Sequence, residues 1–255
     1  MRNIQKFLDK IRRGQVCLGT CITFTDPSVT EALATALDFV WIDAEHNALN
    51  IETVQSHIMA TAAGDTAALV RVAWNDAVLI KPVLDIGADG VIVPLAQEPD
   101  DVRRAIAACR YPPAGIRGFG PRRAAQYGRL GGPEFCAAAN ESVLTIMQIE
   151  HINAVRRIDE ILDVPGLGAI VIGSNDLAGS LGLIGQPRHP DVLRAADQVI
   201  AAARRHGVIW GAAIGDDPDI VAEWAQKGAQ WICMGCDYTF LLKSADMLRA
   251  RIRGA

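Results

Sequence analysis

Several apolar runs in this chain end in polar residues able to do chemistry together. The run Phe39–Asp43 leads into Asp43-Ala-Glu45-His46, and Ala67–Val72 carries Arg71. Val143–Ile149 leads through Gln148 to Glu150, and Gly168–Ile172 leads into Gly173-Ser174-Asn175-Asp176. If the runs are neighbouring parallel strands, about 4.8 Å apart, the Glu150 and Asp176 carboxylates can reach one ion. Oxygen donors with no cysteine nearby suit Mg²⁺ or Mn²⁺ and leave positions open for a chelating substrate. Arg71 ends an otherwise apolar run, where a permanently charged fork is costly unless it meets an anion such as a carboxylate or an enolate oxygen. Asp43 and His46 are spaced so that the carboxylate can orient an imidazole taking a proton near neutral pH. Each feature also has a plainer reading. The acids could cap helices or pair with arginines, Arg71 could form a structural ion pair with one of them, and His46 could be a polar loop residue.

Other groups are less promising. His151 directly follows Glu150, and successive strand residues point to opposite faces, so it is expected to face away from an ion at Glu150. Schiff-base chemistry needs a lysine on a strand. None of Lys6, Lys10, Lys81, Lys227 and Lys243 falls on one of the apolar runs. Six cysteines are scattered through the chain. The pair in Cys233-Met-Gly-Cys236 lacks the two further ligands of a structural zinc site, so these residues read as half-buried, reduced thiols at a strand end.

The elements that must position these groups recur regularly. Eight strand runs are expected at Val16–Thr23, Phe39–Asp43, Ala67–Val72, Gly90–Val93, Val143–Ile149, Gly168–Ile172, Gly207–Ala212 and Gln230–Met234. Helical patterns follow them, beginning near Pro27, Ile51, Asp76, Pro99, Ile152, Pro190, Pro218 and Leu241, several with Pro or Asp at the start as helix N-termini prefer. Eight strand–helix units without a Gly-x-Gly-x-x-Gly turn favour a closed (β/α)₈ TIM barrel, class α/β, over a dinucleotide-binding sheet. The 255 residues, half of them apolar, match one such domain spanning 1–255. The longest irregular stretch, Tyr111 to Gly132, is rich in Gly, Pro and Arg, and a loop of that length in a compact domain is usually functional.

A net charge of −4 without a dense basic run argues against a nucleic-acid or membrane-surface partner and for a small molecule. The charged first residues, Met1 to Arg13, lack the apolar stretch of a signal peptide, and no later run is long enough to span a bilayer. A cytoplasmic protein is the expectation.

The longer segments carry a family resemblance. Trp41-Ile-Asp-Ala-Glu-His46, Arg71-Val-Ala-Trp-Asn-Asp76, Leu79-Ile-Lys-Pro-Val-Leu-Asp-Ile-Gly87, Gly90-Val-Ile-Val-Pro-Leu95, Tyr111-Pro-Pro-Ala-Gly-Ile-Arg-Gly-Phe-Gly-Pro121, Gln148-Ile-Glu150 and Ile172-Gly-Ser-Asn-Asp-Leu-Ala-Gly-Ser-Leu-Gly182 lie in order along nearly the whole chain. Together they resemble the HpcH/HpaI aldolases, class II pyruvate-dependent enzymes of the 4-hydroxy-2-oxoheptane-1,7-dioate aldolase type. The resemblance implies reversible cleavage of a 4-hydroxy-2-oxo acid to pyruvate and an aldehyde, by way of an enolate, with a divalent metal ion (Mg²⁺, Mn²⁺ or Co²⁺) as cofactor. It implies Glu150 and Asp176 as metal ligands, His46 as acid/base with Asp43 behind it, and Arg71 as the group that offsets enolate charge. Gln148, Gly173, Ser174, Asn175 and Asp176 would line the pyruvate pocket, partly through backbone N–H groups. Asp85 would approach the histidine of an adjacent subunit, making the site depend on a homo-oligomer, expected to be a hexamer.

The chain departs from the family pattern beside the site. It reads Asn47-Ala-Leu-Asn50 after His46, where the family often has Gly or Ala followed by Pro-Asn-Asp, and His151 after Glu150, where Thr or Ser is usual. These differences put the aldehyde preference in question rather than the reaction type. Two other readings stay open. A citrate-lyase-type enzyme acting on a coenzyme A thioester would want a basic groove, which Arg117, Arg122, Arg123 and Arg129 could supply; a noncatalytic barrel would merely bind an oxo acid.

Overall fold

The computed structural model describes residues 3–254. Its centre is a closed barrel of eight parallel strands in sequence order: β1 (Cys17–Ile22), β2 (Phe39–Asp43), β3 (Ala67–Arg71), β4 (Gly90–Val93), β5 (Leu144–Ile149), β6 (Ala169–Gly173), β7 (Ile209–Ile214) and β8 (Trp231–Cys236). Strands β2, β4, β5 and β6 are buried along their whole length, as strands covered on both faces must be, which is why they read as unbroken apolar runs. The expected TIM barrel is therefore the fold observed, with strand ends shifted by a residue or two.

Helices wrap the barrel: α2 (Pro27–Ala34), α3 (Ile51–Ala60), α4 (Ala77–Asp85), α5 (Pro99–Cys109), α6 (Gly132–Ser142), α7 (Ile152–Arg156), α8 (Ile158–Leu162), α9 (Ser174–Ser180), α10 (Pro190–His206), α11 (Pro218–Gln226) and α12 (Asp237–Arg253). Local chemistry sets their starts. Asp26, Asn50, Asp76 and Asp217 each accept a backbone N–H from the first turn that follows, satisfying donors the helix leaves free. Strand β7 begins at Ile209 rather than at the expected Gly207, because Gly207, at φ 66°, is the left-handed residue that closes α10. Helix α12 begins at Asp237, four residues before the expected Leu241.

One helix was not expected. Residues 3–12 form α1 (Asn3–Arg12), which turns Ile4, Phe7 and Ile11 inward at helical spacing. Phe7 packs edge-on against Phe39 and Trp231, at centroid distances of 5.7 and 6.4 Å, and those two rings stand 5.4 Å apart. Phe39 and Trp231 open β2 and β8, so α1 plugs the N-terminal mouth of the barrel and chemistry is left to the other end. The interior above the plug is filled by Trp41, Leu69, Ile92, Ile146 and Val171, while a larger apolar layer joins the outer strand faces to the helices.

The irregular stretch after β4 is held down by its own arginines. Arg117 is buried, donates to Asp85 at 2.8 Å and stacks over the Tyr111 ring at 4.4 Å, while Arg123 donates to the Ile86 carbonyl at 2.9 Å. No helix among the described residues is long and apolar enough to cross a membrane.

Candidate active site

All eight strands point their C-terminal ends to one rim, and the polar run-ends singled out in the sequence meet there. Asp43 and Arg71 are register partners at the ends of β2 and β3. The Arg71 Nε donates to Asp43 Oδ1 at 2.8 Å, and its Nη1 lies 3.1 Å from Glu45 Oε2. The guanidinium also stands 5.2 Å from the centroid of the Trp41 ring. Burial works against its charge, but the hydrogen bond and charge of Asp43, with Glu45 adding, hold the proton more tightly than in water.

Asp43 differs from its expected part. Its oxygens accept from Arg71, from the Glu45 backbone N–H and from the Asn47 amide, not from His46. The acid that approaches His46 is Glu45, whose Oε2 lies 3.6 Å from the imidazole Nε2. The reason is register: a strand-end residue directly opposite an arginine is claimed by it, while the loop beyond carries His46 outward, with 65% of its side chain exposed. Burial raises the Glu45 carboxyl, while Arg71 and His46 pull it down.

Glu150 follows β5 and is only 2% exposed. Its Oε1 accepts the Leu95 N–H at 2.7 Å, and its Oε2 accepts the Gln148 amide. Leu95 adopts φ 56°, an uncommon backbone for a branched residue, and in that conformation it turns its N–H onto the carboxylate. Across the rim, a Cβ on Gly173 would fall 2.8 Å from Glu150 Oε2 and 3.1 Å from Gln148 Nε2, so only glycine lets β6 come this close. Burial pushes the Glu150 carboxyl up to about 7; the charges of Asp176 and Glu45 add to this, and the bonds from Leu95 and Gln148 oppose it. Asp176 lies in the first turn of α9, exposed at the rim beside Asn175, with Ser174 buried beneath.

A cavity of about 290 Å³ opens here, lined by Trp41, Arg71, Gln148 and the whole stretch Gly173 to Asp176. Its far wall corrects one expectation. The site is not remote from cysteine, because Cys21, Cys233 and Cys236 line the cavity, with Tyr238 beside them. All six cysteines are free thiols, Cys233 buried and Cys236 partly so, as expected of a strand end. His151 is occupied in capping α7, its Nδ1 accepting the Asn153 N–H at 3.1 Å. Asp85 closes α4 and binds Arg117, so it does not join the rim of its own chain. Sequence reasoning missed Glu45 as the second partner of Arg71, although its place two residues beyond Asp43 put it on the same side. Nothing local pointed to Leu95 or Cys21.

With this geometry in view, the likeness to known proteins is specific. Residues 23–244 match the profile of the HpcH/HpaI aldolase/citrate lyase family. The chain belongs to this family. A relative named 4-hydroxy-2-oxo-heptane-1,7-dioate aldolase, from Salmonella paratyphi C, is 36% identical over 248 residues, covering 96% of this chain and 93% of the relative. The crystal structure of an HpcH/HpaI aldolase/citrate lyase family protein from Burkholderia cenocepacia superposes with a TM-score of 0.91 at 31% identity, covering 97% of this chain and 99% of that one. The crystal structure of the citrate synthase SbnG superposes with a TM-score of 0.84, also at 31% identity, covering 96% of this chain and 97% of that one. This HpcH/HpaI protein is a class II aldolase, a carbon–carbon lyase built on a TIM barrel. Its rim sets Asp43, Glu45, Glu150 and Asp176 around the Arg71 guanidinium, and only the first two of them pair with it; Asp216, on the same cavity wall, is paired with Lys243.

Proposed function

We propose that this aldolase reversibly cleaves 4-hydroxy-2-oxo acids to pyruvate, or a close analogue, and an aldehyde. One observation carries the reading: Glu150, buried and bonded to the cavity residue Gln148, and Asp176, on the cavity wall, are near enough for their charges to interact, with no lysine, arginine or histidine paired to either among the described residues, while a fixed Arg71 lines the same cavity. Two carboxylates without a counter-charge, one of them buried, are the donor set a hard divalent cation requires. The buried Gln148 Oε1, which has no hydrogen-bond partner, is a further unmet polar atom beside them. Glu150 and Asp176 would hold Mg²⁺, Mn²⁺ or Co²⁺, which when bound supplies Lewis-acid polarisation of a 2-oxo group.

The chain's own groups do the rest. Arg71, locked by Asp43 and Glu45, offers fixed positive charge where an enolate oxygen develops, and a preorganised charge costs no reorientation at the moment of reaction. Gln148, Ser174 and Asn175, with first-turn N–H groups of α9 that the helix leaves unused, orient the pyruvate carboxylate. His46 takes the proton from the 4-hydroxyl, and the C3–C4 electrons pass to C3 as the aldehyde leaves. C3 is then protonated to give pyruvate. Glu45, 3.6 Å from the imidazole, steadies the charge that His46 acquires.

We further propose a single-domain, cytoplasmic enzyme that works as a homo-oligomer, with the hexamer as the expected state and Asp85 meeting the histidine of an adjacent subunit. Its support is α12, where Leu241, Leu242, Met247, Leu248 and Ile252 are exposed, beside a groove lined by Val16, Leu18, Val221 and Met234 that the helix leaves uncovered. The coenzyme A reading is weakened, since two of the four arginines it would use, Arg117 and Arg123, are bound to the C-terminal end of α4. The test is pyruvate release from 4-hydroxy-2-oxo acids of several chain lengths, with EDTA and with Mn²⁺ or Mg²⁺ restored. Metal-dependent release that Glu150→Ala and Asp176→Ala abolish is expected; release that survives complete metal removal would overturn the proposal.

A further inference from the structure

The mechanism above makes no use of the thiols in the cavity wall, yet two of them are placed to react with each other. Strands β1 and β8 close the barrel, pairing Gly19 with Cys233 and then Cys21 with Cys236. Between these pairs β8 carries one extra residue, and Gly235, at φ 66°, forms the irregularity. An alternating strand in plain register would set Cys21 against Gly235. The extra residue brings Cys236 opposite Cys21 instead, and both side chains face the cavity. Register partners on adjacent strands stand about 4.8 Å apart, inside the span of about 4.4–6.8 Å between the α-carbons of a disulfide.

We propose that Cys21 and Cys236 form a reversible disulfide in the wall of the active-site cavity, made by a hydroperoxide. The neighbouring thiols also share their proton unequally: interaction with Cys236, together with burial, holds the Cys21 thiol well above the ordinary range, and interaction with Cys21 draws Cys236 below it. The neighbouring Tyr238, on the same cavity wall, lowers Cys236 further. Cys236 is also the N-cap residue of the 17-residue α12, where the helix dipole favours a thiolate. Cys236 is thus the attacking group and Cys21 the resolving one. Cys233, three residues earlier on β8 and only 4% exposed, is kept protonated by its burial.

The chemistry balances. The Cys236 thiolate attacks one peroxide oxygen, breaking the O–O bond; sulfur is oxidised to the sulfenic acid and the other oxygen leaves as an alcohol, or as water from hydrogen peroxide. Cys21 then attacks that sulfur, the S–S bond forms, and the sulfenic oxygen leaves as water with the proton from Cys21. Two thiols lose two electrons and two protons, and one hydroperoxide is reduced. The same wall includes Arg71, Gln148 and Asp176, so drawing the ends of β1 and β8 together at Cys21 and Cys236 reshapes the pocket.

The test treats the whole protein with a small excess of hydrogen peroxide, alkylates the remaining thiols and maps peptides without reduction. The expected result is an intact mass lower by about two hydrogens when read before alkylation, a Cys21–Cys236 linked peptide, and full reversal by dithiothreitol. In Cys21→Ser the reaction should stop at a sulfenic acid on Cys236, trapped by dimedone; in Cys236→Ser no link should form. Alkylation of both wild-type residues after peroxide, a link through Cys233, or oxidation that stalls as sulfenic acid in the wild type would each overturn the proposal. The mass readout does not depend on the reaction catalysed, so failure of the aldol assay leaves this test intact. If both readings hold, pyruvate release falls in step with the linked fraction and returns with reduction.

Discussion

The charge on Glu150 can be measured as stability. In the metal-free protein its carboxyl titrates near about 7 rather than the ordinary 4.5, mainly because it is buried. A carboxyl whose folded pKa is raised binds its proton longer in the folded state, so stability falls as pH rises through the window from about 4.5 to about 7. At about 1.4 kcal/mol per pH unit, the full penalty above pH 8 is about 3 kcal/mol, of which under about 1 kcal/mol is already present at pH 5. Glu150→Gln removes the titration and keeps the shape; its amide oxygen can still accept the Leu95 N–H, and its NH₂ can turn to a flipped Gln148 whose Oε1 has no partner. Urea unfolding in EDTA at pH 5 and pH 8 is the assay, for wild type and variant together. Titrations shared by the two proteins cancel, and the variant should gain about 2.5 kcal/mol on wild type between the two pH values. At pH 8, added Mn²⁺ should stabilise wild type but not the variant, since only a ligand that binds the folded state shifts the balance. A difference that stays flat from pH 5 to pH 8 would refute the argument, because a constant offset reports altered packing rather than a buried charge.

Arg71→Ala strands the buried Asp43 and the half-buried Glu45 without their cation and should cost about 3–5 kcal/mol in urea unfolding. Arg71→Lys, which cannot make both contacts from one planar fork, should stay folded and lose on the order of 100-fold in kcat/KM for pyruvate release. Phe7→Ala removes the plug against Phe39 and Trp231 and should cost about 3–5 kcal/mol in the same melts. Leu241→Asp combined with Leu248→Asp places charges on the exposed apolar face of α12 and should lower the mass seen by size exclusion with light scattering.

The barrel was legible in the sequence because parallel strands buried on both faces must be apolar throughout and the helices between them open on Pro, Asp or Asn. Helix α1 was hidden by its charges. Lys6, Asp9, Lys10 and Arg12 dominate a ten-residue segment whose Ile4, Phe7, Leu8 and Ile11 nonetheless repeat at helical spacing, the signal that a search for uncharged stretches passes over. The start of α12 was misplaced because Asp237, Tyr238 and Thr239 look like loop residues. In the structure Asp237 is buried and accepts the Thr23 hydroxyl and the backbone N–H groups of Thr23 and Phe24, tying the helix to the end of β1. That bond joins residues 214 positions apart, and no local pattern announces it.

The rim divides the same way between what spacing can and cannot tell. Strand ends told which side chains gather, since a residue closing a barrel strand has nowhere else to go. They did not tell which acid meets which base, because that depends on register across strands, and the spacing of Asp43 and His46 along the chain misled where the pairing of Asp43 with Arg71 between strands decided. Once those pairs are assigned, charge settles the remainder. Arg71 is spent on Asp43 and Glu45, and His46 stands outside beside Glu45. Glu150 and Asp176 are left without a cation, and Glu150 keeps a proton to about 7 because it is buried, with the charge of Asp176 adding. With Arg71 spent on Asp43 and Glu45 and Lys243 on Asp216, Glu150 and Asp176 have no counter-charge of their own, and in the proposed reaction a divalent ion displacing the Glu150 proton would supply it.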